Sequence, residues 1–277
     1  MLQAFRKSSL EVPGWSATRV LLALVLFGVS FAYVEAAVVV YLRPLYEPLH
    51  ERYHPGFEKG ELFPLLRMEE LEAAGPEAKR CLLVELGREA ATLVMLAAAA
   101  LAASRNFHQW FAGFVLAFGV WDLFYYLFLK LLLGWPASWM EWDLLFLLPV
   151  PWAGPVLAPV LVALSMVGAG ALVLRSEGTD KPIRPGALDW VAIVAGGLLL
   201  ATAFCWDCRN LLQGGEPNPF NWSLFAVGES LGLAGFVHAW RKSHNGCYEP
   251  GPESLQLHSW NCRRGTAAAR QAERPDQ

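Results

Sequence analysis

The sequence predicts an all-α integral membrane protein, a bundle of about six transmembrane helices. Two observations favour this fold class. Hydrophobic residues make up 55% of the 277 residues and charged residues only 17%, whereas soluble globular domains typically carry about 25% charged residues. Apolar runs of roughly 19 to 25 residues recur along the chain, and each is long enough to cross a hydrocarbon core of about 30 Å.

The predicted spans cover residues 19–240 of the chain. The run after Arg19 is longer than the apolar region of a signal peptide and lacks an A-x-A cleavage pattern, so we assign it as the first span. Residues 1–18 are expected to form a cytoplasmic segment, residues 44–80 an outer loop and residues 241–277 a disordered cytoplasmic tail. The six spans are residues 19–43, 81–104, 109–133, 156–174, 188–212 and 221–240.

Residues 134–155, between the third and fourth spans, predict a short re-entrant or interfacial element on the outer face. Their apolar core is too short to cross the bilayer. Pro149 and Pro151 interrupt regular helix there, and Trp142 and Trp152 suit the depth of the lipid headgroups.

Small residues predict where helices contact one another. Gly228 and Gly232 form a G-x-x-x-G pair in the sixth span, and Gly196 lies next to Gly197 in the fifth. Such residues allow two helix backbones to approach closely in a membrane. The pattern indicates a packed bundle and says nothing about chemistry.

The distribution of Lys and Arg predicts that both termini are cytoplasmic. In this topology thirteen of these residues lie on the cytoplasmic side and eight on the outer side, with Arg88 inside a span. The outer loop is rich in glutamate, which disfavours a nucleic-acid partner. The expected partner is the lipid bilayer, and a membrane-protein partner or a second copy of the chain remains open.

The sequence FGVWDLFYY (residues 118–126), followed by Lys130 and by PVPW (residues 149–152), resembles a family of uncharacterised multi-pass bacterial inner-membrane proteins. The resemblance covers the third and fourth spans. It implies a helical fold in a bacterial inner (plasma) membrane, and it brings no activity, cofactor or catalytic residue with it.

Ionisable residues inside the predicted spans form the main candidate site. A charge near the bilayer centre costs about 2.5 to 3.5 kcal/mol, so such groups usually face the protein interior and have partners. Helical spacing places Glu85, Arg88, Glu89 and Thr92 on one face of the second span. We expect a polar centre in the outer half of the membrane, formed by Glu35, Glu85, Arg88, Glu89, Asp122, Tyr126, Lys130 and Glu229.

Two interpretations of this polar centre remain open. In the first, the carboxylates bind a proton, a cation or a polar group of a small solute and take part in its transport, while Arg88 and Lys130 tune them. In the second, Arg88 and Lys130 pair with carboxylates only to hold helices together, and the chain is a non-catalytic membrane subunit or assembly factor.

A third interpretation is an enzyme at the outer face that uses a metal ion or thiols. His50 and His54 fit the H-E-x-x-H zinc pattern, in which both imidazoles lie on one helix face. However, Pro55 disfavours a helical backbone at His54. The histidines are therefore weak candidates for metal ligands.

Cys205 and Cys208 form a C-x-x-C pair at the outer end of the fifth span. Redox-active pairs usually benefit from a helix N-terminus, whereas this pair is predicted near a C-terminus, where the helix dipole disfavours a thiolate. The pair is therefore a weak candidate for redox chemistry, and the sequence identifies no cofactor.

Overall fold

The computed structural model describes residues 16–56 and 62–245. These residues are mostly helical, and five stretches are long and apolar enough to cross a membrane, which confirms a multi-pass helical membrane protein. The stretches are α1 (Ala17–Tyr53), α3 (Pro76–Ala103), α4 (Phe107–Leu133), α5 (Leu157–Ser176) and Ala187–Leu212, which contains α6 (Ala187–Phe204) and α7 (Cys208–Leu212). Two further helices are α2 (Met68–Ala74) and α8 (Trp222–Asn245).

The first helix is longer than the sequence predicted. α1 continues past Arg43 through Pro44 and Pro48 and ends at Tyr53. His54 caps it with φ −128° and ψ 66°, a non-helical conformation that agrees with the restriction imposed by the following proline. Consequently the first turns of the predicted outer loop belong to α1, and α2 occupies a further part of that loop.

Residues 134–155 contain a β-hairpin, which departs from the all-α prediction. β1 (Trp142–Phe146) pairs antiparallel with β2 (Trp152–Pro155), with Asp143 opposite Gly154 and Leu144 opposite Ala153. The prolines between the strands cannot continue a helix, and strand pairing satisfies the backbone hydrogen bonds of this apolar segment instead.

α4 is the central helix of the bundle and packs against α1, α3 and α5. Close approach at these crossings depends on small residues. A Cβ atom on Gly28 of α1 would lie 3.0 Å from the carbonyl oxygen of Ala117, and one on Gly170 of α5 would lie 2.7 Å from that of Ala112. Larger side chains at either glycine would push the helix backbones apart.

α6 and α8 also cross at glycines, as the sequence predicted. A Cβ atom on Gly196 would lie 2.6 Å from the backbone nitrogen of Gly232 and 2.7 Å from the carbonyl oxygen of Gly228. α8 carries the sixth predicted span but is not one of the five membrane-crossing candidates. The predicted tail begins inside this helix, which continues to Asn245, and the rest of the tail and residues 1–15 lie outside the described residues.

Aromatic contacts fix the hairpin between two parts of the bundle. The ring of Phe146 lies 6.2 Å from that of Trp121 on α4, and the ring of Trp152 lies 6.5 Å from that of Phe204 on α6. Each aromatic pair of this kind contributes about 0.5 to 1.5 kcal/mol beyond the area it buries. Both strands of the hairpin therefore pack against helices, β1 against α4 and β2 against α6.

Candidate functional site

A cavity of about 560 Å³ lies between α1, α3, α4, the hairpin and residues 62–71. Its lining residues recur along one face of α1 from Glu35 to His54, a length of about 28 Å at the helical rise of 1.5 Å per residue. α1 and α3 contribute most of the charged side chains. Another part of the wall is apolar and includes Leu62, Leu65, Leu66, Leu144, Leu145 and Leu147.

Arg88 on α3 holds two carboxylates on this wall. Its guanidinium forms ion pairs with Glu35 of α1 and with Glu85, one turn earlier on α3. The Nε atom of Arg88 lies 3.0 Å from Oε1 of Glu85, and the hydroxyl of Thr92 donates to the backbone oxygen of Arg88 at 3.0 Å. Glu35 is 6% exposed, so this link between α1 and α3 is sheltered from solvent.

Glu89 holds the hairpin against α3. Its two carboxylate oxygens accept the backbone N–H of Leu147 at distances of 3.0 and 2.9 Å. Leu147 directly follows β1 and is half-buried, so its backbone N–H needs an acceptor that the hairpin does not supply. The four polar residues that helical spacing placed on one face of this helix, Glu85, Arg88, Glu89 and Thr92, all line the cavity.

Asp122 lies on the same cavity wall, on the central helix α4, and is 7% exposed. Within the described residues its carboxylate makes no hydrogen bond and no ion pair. The neighbouring Trp121 is 5% exposed, and its indole N–H has no acceptor among the described residues. Buried donors such as this indole N–H are nearly always paired. Asp143 lies within electrostatic range of Asp122, so this stretch of wall brings two carboxyl groups and an N–H donor together.

Arg43 of α1 is a cavity residue that the sequence analysis placed at the end of a span. Its guanidinium carbon lies 5.3 Å from the centre of the Trp135 ring. Across residues 16–56 and 62–245 it has no ion pair, and its Nε atom is buried without a hydrogen-bond partner. Tyr125 is within electrostatic range of Asp143, Arg88, Asp122 and Arg43, and Asp143 is also within range of Arg43, so these charges share one region of the cavity.

Three members of the predicted polar centre lie away from the cavity wall. Lys130 donates to two backbone carbonyls that follow α4, at 3.0 and 2.7 Å, and is exposed. The hydroxyl of Tyr126 donates to Asp143 of the hairpin at 2.9 Å. Glu229 on α8 accepts the hydroxyl of Ser165 on α5, so it connects a different pair of helices.

His50 and His54 of the H-E-x-x-H pattern line the cavity near the C-terminal end of α1. Their ring centres are 5.2 Å apart, Nε2 of His50 lies 3.0 Å from the Pro64 carbonyl oxygen, and Nε2 of His54 lies 3.6 Å from Oε2 of Glu70. Within the described part of the chain, no three His, Cys, Asp or Glu side chains are grouped to hold a metal ion. The geometry therefore gives no support to a zinc site here.

Glu70 lies beside His54 and, together with Arg67, caps the N-terminus of α2. The backbone N–H and the Nε–H of Arg67 both donate to the Glu70 carboxylate at 2.9 Å. Burial alone would raise the pKa of Glu70, but the hydrogen bonds and the charge of Arg67, together with His54, lower that pKa below its usual value. Glu70 is therefore held in its ionised form at neutral pH.

Cys205 and Cys208 lie at the junction of α6 and α7 as partly buried free thiols. Cys205 caps the C-terminus of α6, as predicted, while Cys208 is the first residue of the five-residue α7. Neither cysteine lines the cavity. The pair therefore lies outside the cavity that contains the carboxylates, whereas an enzyme site would place thiols and carboxylates together.

Comparisons of the chain with protein-family models, with curated proteins and with solved structures found no match. Fold and site together define a class, a multi-pass helical membrane protein with a charged cavity beside its central helix. What the chain does is therefore inferred from the cavity itself.

Proposed function

We propose that this chain is a membrane transporter that couples movement of a small solute to binding of a proton or a cation in the cavity between α1, α3 and α4. The observation that carries the proposal is Asp122, a buried carboxyl group on the cavity wall without a partner among the described residues. A carboxylate in such surroundings is costly unless it binds a proton or a cation.

Three other carboxylates of the cavity, those of Glu35, Glu85 and Glu89, support this assignment because they are already engaged. Arg88 neutralises Glu35 and Glu85, and Glu89 accepts a backbone N–H of the hairpin. These groups shape the cavity and hold its walls together. Asp122, which is buried and has no partner among the described residues, is the carboxyl group that we assign to exchange a proton or a cation during a transport cycle.

The proposed topology has six spans in a bacterial inner membrane, with α8 as the sixth span and both termini cytoplasmic. Support comes from the thirteen-to-eight distribution of Lys and Arg and from the close glycine crossing of α8 with α6. A reporter fused after Trp240 should report the cytoplasm, and one inserted near Gly60 should report the outer side. Reversed signals at both positions would overturn this orientation.

Carbodiimide labelling tests the role of Asp122. Dicyclohexylcarbodiimide modifies protonated carboxyl groups in apolar surroundings, so the purified protein in non-ionic detergent should be labelled at Asp122, as read by peptide mass spectrometry. Asp122→Asn should remove the label, whereas Asp180→Asn, at an exposed position between α5 and α6, should leave it. A wild-type protein without label at Asp122 would count against the proposal.

A second candidate function is a non-catalytic membrane subunit or assembly factor. The observation that favours it is the engagement of Arg88 and Glu89, which link α1, α3 and the hairpin as structural contacts would. In that case Asp122→Asn should leave a partner complex intact, and Asp122 should not exchange protons. The labelling experiment therefore separates the two functions.

A further inference from the structure

Arg43 and Asp122 carry opposite charges on the cavity wall, and they do not form an ion pair with each other. Arg43 and Asp122 both lie on the wall and both lie within electrostatic range of Tyr125. No ion pair joins either of them to another described residue. Because the described wall presents a cation and an anion that are without ion pairs, the cavity is complementary to a molecule that carries both signs of charge.

The position of Arg43 suits an acidic group. Its guanidinium lies over the face of Trp135, and stacking of this kind leaves the N–H donors at the edge of the guanidinium available. One of those donors, at Nε, is buried without a partner among the described residues. A carboxylate or phosphate can accept two such donors side by side. Arg88 cannot bind the acidic group in this way because its guanidinium already forms ion pairs with Glu35 and Glu85.

The position of Asp122 suits an amino group. A protonated amine can donate to the free carboxylate and lie against the aromatic rings of Trp121 and Tyr125, which also line the cavity. The unpaired indole N–H of Trp121 adds a donor for an oxygen of the same molecule. Asp122 and Trp121 can therefore bind an amino group and an oxygen of the same molecule.

The leucine-rich part of the wall suits an apolar body. It is contributed by residues 62–66 and by the hairpin residues 144–147. The cavity volume of about 560 Å³ is that of a small-molecule site and falls within the range of about 300 to 1,000 Å³ that such sites occupy. The cavity therefore offers separate places for an acidic group, an amino group and an apolar chain.

We infer, as an extension of the proposed function, that the solute is an amphipathic zwitterion whose acidic group binds Arg43 and whose amino group binds Asp122. Two sources share this chemistry, a free apolar amino acid and the headgroup of a phosphatidylethanolamine lipid. Each has a carboxylate or phosphate, a primary amine and an apolar part.

Binding to the full-length protein in non-ionic maltoside detergent tests the inference. The zwitterionic probes are leucine and a short-chain phosphatidylethanolamine, measured by titration calorimetry. Leucinamide, which lacks the carboxylate, and 4-methylpentanoate, which lacks the amine, are the matched controls for leucine. Short-chain phosphatidylglycerol, which lacks the amine, is the matched control for the lipid. Each control should bind about tenfold or more weakly than its zwitterion, because one charge-assisted contact is lost.

Variants then assign each charge to its residue. Arg43→Gln should weaken binding of the zwitterion about tenfold but leave binding of leucinamide unchanged, because leucinamide has no carboxylate. Asp122→Asn should also weaken binding of the zwitterion about tenfold but leave binding of 4-methylpentanoate unchanged, because 4-methylpentanoate has no amine. Arg209→Gln and Asp180→Asn, at exposed positions outside the cavity, should bind the zwitterion like the wild type. Binding of leucine identifies a free amino acid as the source, and binding of the lipid alone identifies a headgroup.

The outcome that overturns the inference does not depend on how the variants fold. If the wild-type protein binds neither zwitterion, or binds leucine no better than leucinamide and 4-methylpentanoate, the solute is not a zwitterion of this kind. Labelling of Asp122 by carbodiimide in the same preparation would then still support the proposed function. Absence of that label would instead reject the proposed function itself.

Discussion

Arg88 on α3 and Glu35 on α1 form an ion pair that joins two helices of the bundle along the cavity wall. The same guanidinium also holds Glu85, so one cation balances two carboxylates. The side chain of Arg88 is 25% exposed, whereas that of Glu35 is only 8% exposed. Loss of Arg88 would therefore leave a buried carboxylate without its cation, which is the costly way to break a buried pair.

Arg88→Ala is expected to lower the thermal stability of the detergent-purified protein much more than Lys79→Ala. Breaking a buried pair typically costs about 3 to 5 kcal/mol, and the partial exposure of Arg88 points to the lower end of that range. Lys79 pairs with Glu72, but the two side chains are 45% and 57% exposed, and exposed pairs contribute about 0 to 1 kcal/mol. Thermal unfolding followed by tryptophan fluorescence measures the difference.

Adding Glu35→Gln to Arg88→Ala should recover part of the lost stability, because the carboxylate that has lost its cation is then neutral. Glu216→Gln, at an exposed position between α7 and α8, is the matched control and should recover nothing. Equal and small losses in Arg88→Ala and Lys79→Ala would show that the Glu35 carboxylate reaches water when its partner is removed.

Glu89→Leu is expected to loosen the β-hairpin, whereas Glu89→Gln should largely preserve it. The leucine variant leaves the backbone N–H of Leu147 without its acceptor, while the amide oxygen of glutamine can still accept it. Hydrogen–deuterium exchange of the peptides that cover residues 142–155 should rise in the first variant and change little in the second. Unchanged exchange in Glu89→Leu would mean that the aromatic contacts alone hold the hairpin.

The sequence predicted the polar face of α3 because four polar residues recur at helical spacing inside an apolar run. A helix has one periodicity, so Glu85 and Thr92 had to lie on the same side wherever the helix packed. The spacing could not identify the partners. Glu89 faces a strand, and no local pattern relates it to Leu147, which is 58 residues away.

The sequence predicts that the first span ends at Arg43, before Pro44, and so leaves Arg43 out of the polar centre. In the structure α1 runs through both prolines, so Arg43 lies eight residues after Glu35 and on the same helix face. The eight-residue spacing between Glu35 and Arg43 could have identified Arg43 from the sequence. Lys130 has helical spacing from Asp122, but its long side chain extends past the end of α4 and donates to the carbonyl oxygens of Gly134 and Pro136.

The stability of the protein should depend on Glu70 at acidic pH. Because the pKa of Glu70 is lower in the folded protein than its usual value of 4.5, its ionised form stabilises the fold above that pH. This contribution should be lost as the pH falls through the lowered pKa. Glu70→Gln should therefore flatten the acid limb of a plot of melting temperature against pH.

Arg67→Gln provides the control for this pH dependence, because it removes the partner that lowers the pKa of Glu70. It should flatten the acid limb to a similar extent, and the double variant should add little to either single change. If the two single variants acted additively, the capping interaction between Arg67 and Glu70 would not be the source of the effect.

Gly196→Ala is expected to destabilise the protein, whereas Gly197→Ala should not, although the two glycines are adjacent on α6. A Cβ atom on Gly196 would lie 2.6 Å from the backbone of Gly232 on α8, so the two helices would have to separate, but one on Gly197 would meet nothing within 4 Å. Overpacking of this kind costs about 1 to 3 kcal/mol, and alanine at an open helical position is favoured over glycine by up to about 1 kcal/mol. Melting temperatures of the two detergent-purified variants measure the contrast. Equal melting temperatures would mean that α6 and α8 do not depend on this crossing, and the packing support for α8 as a sixth span would be withdrawn.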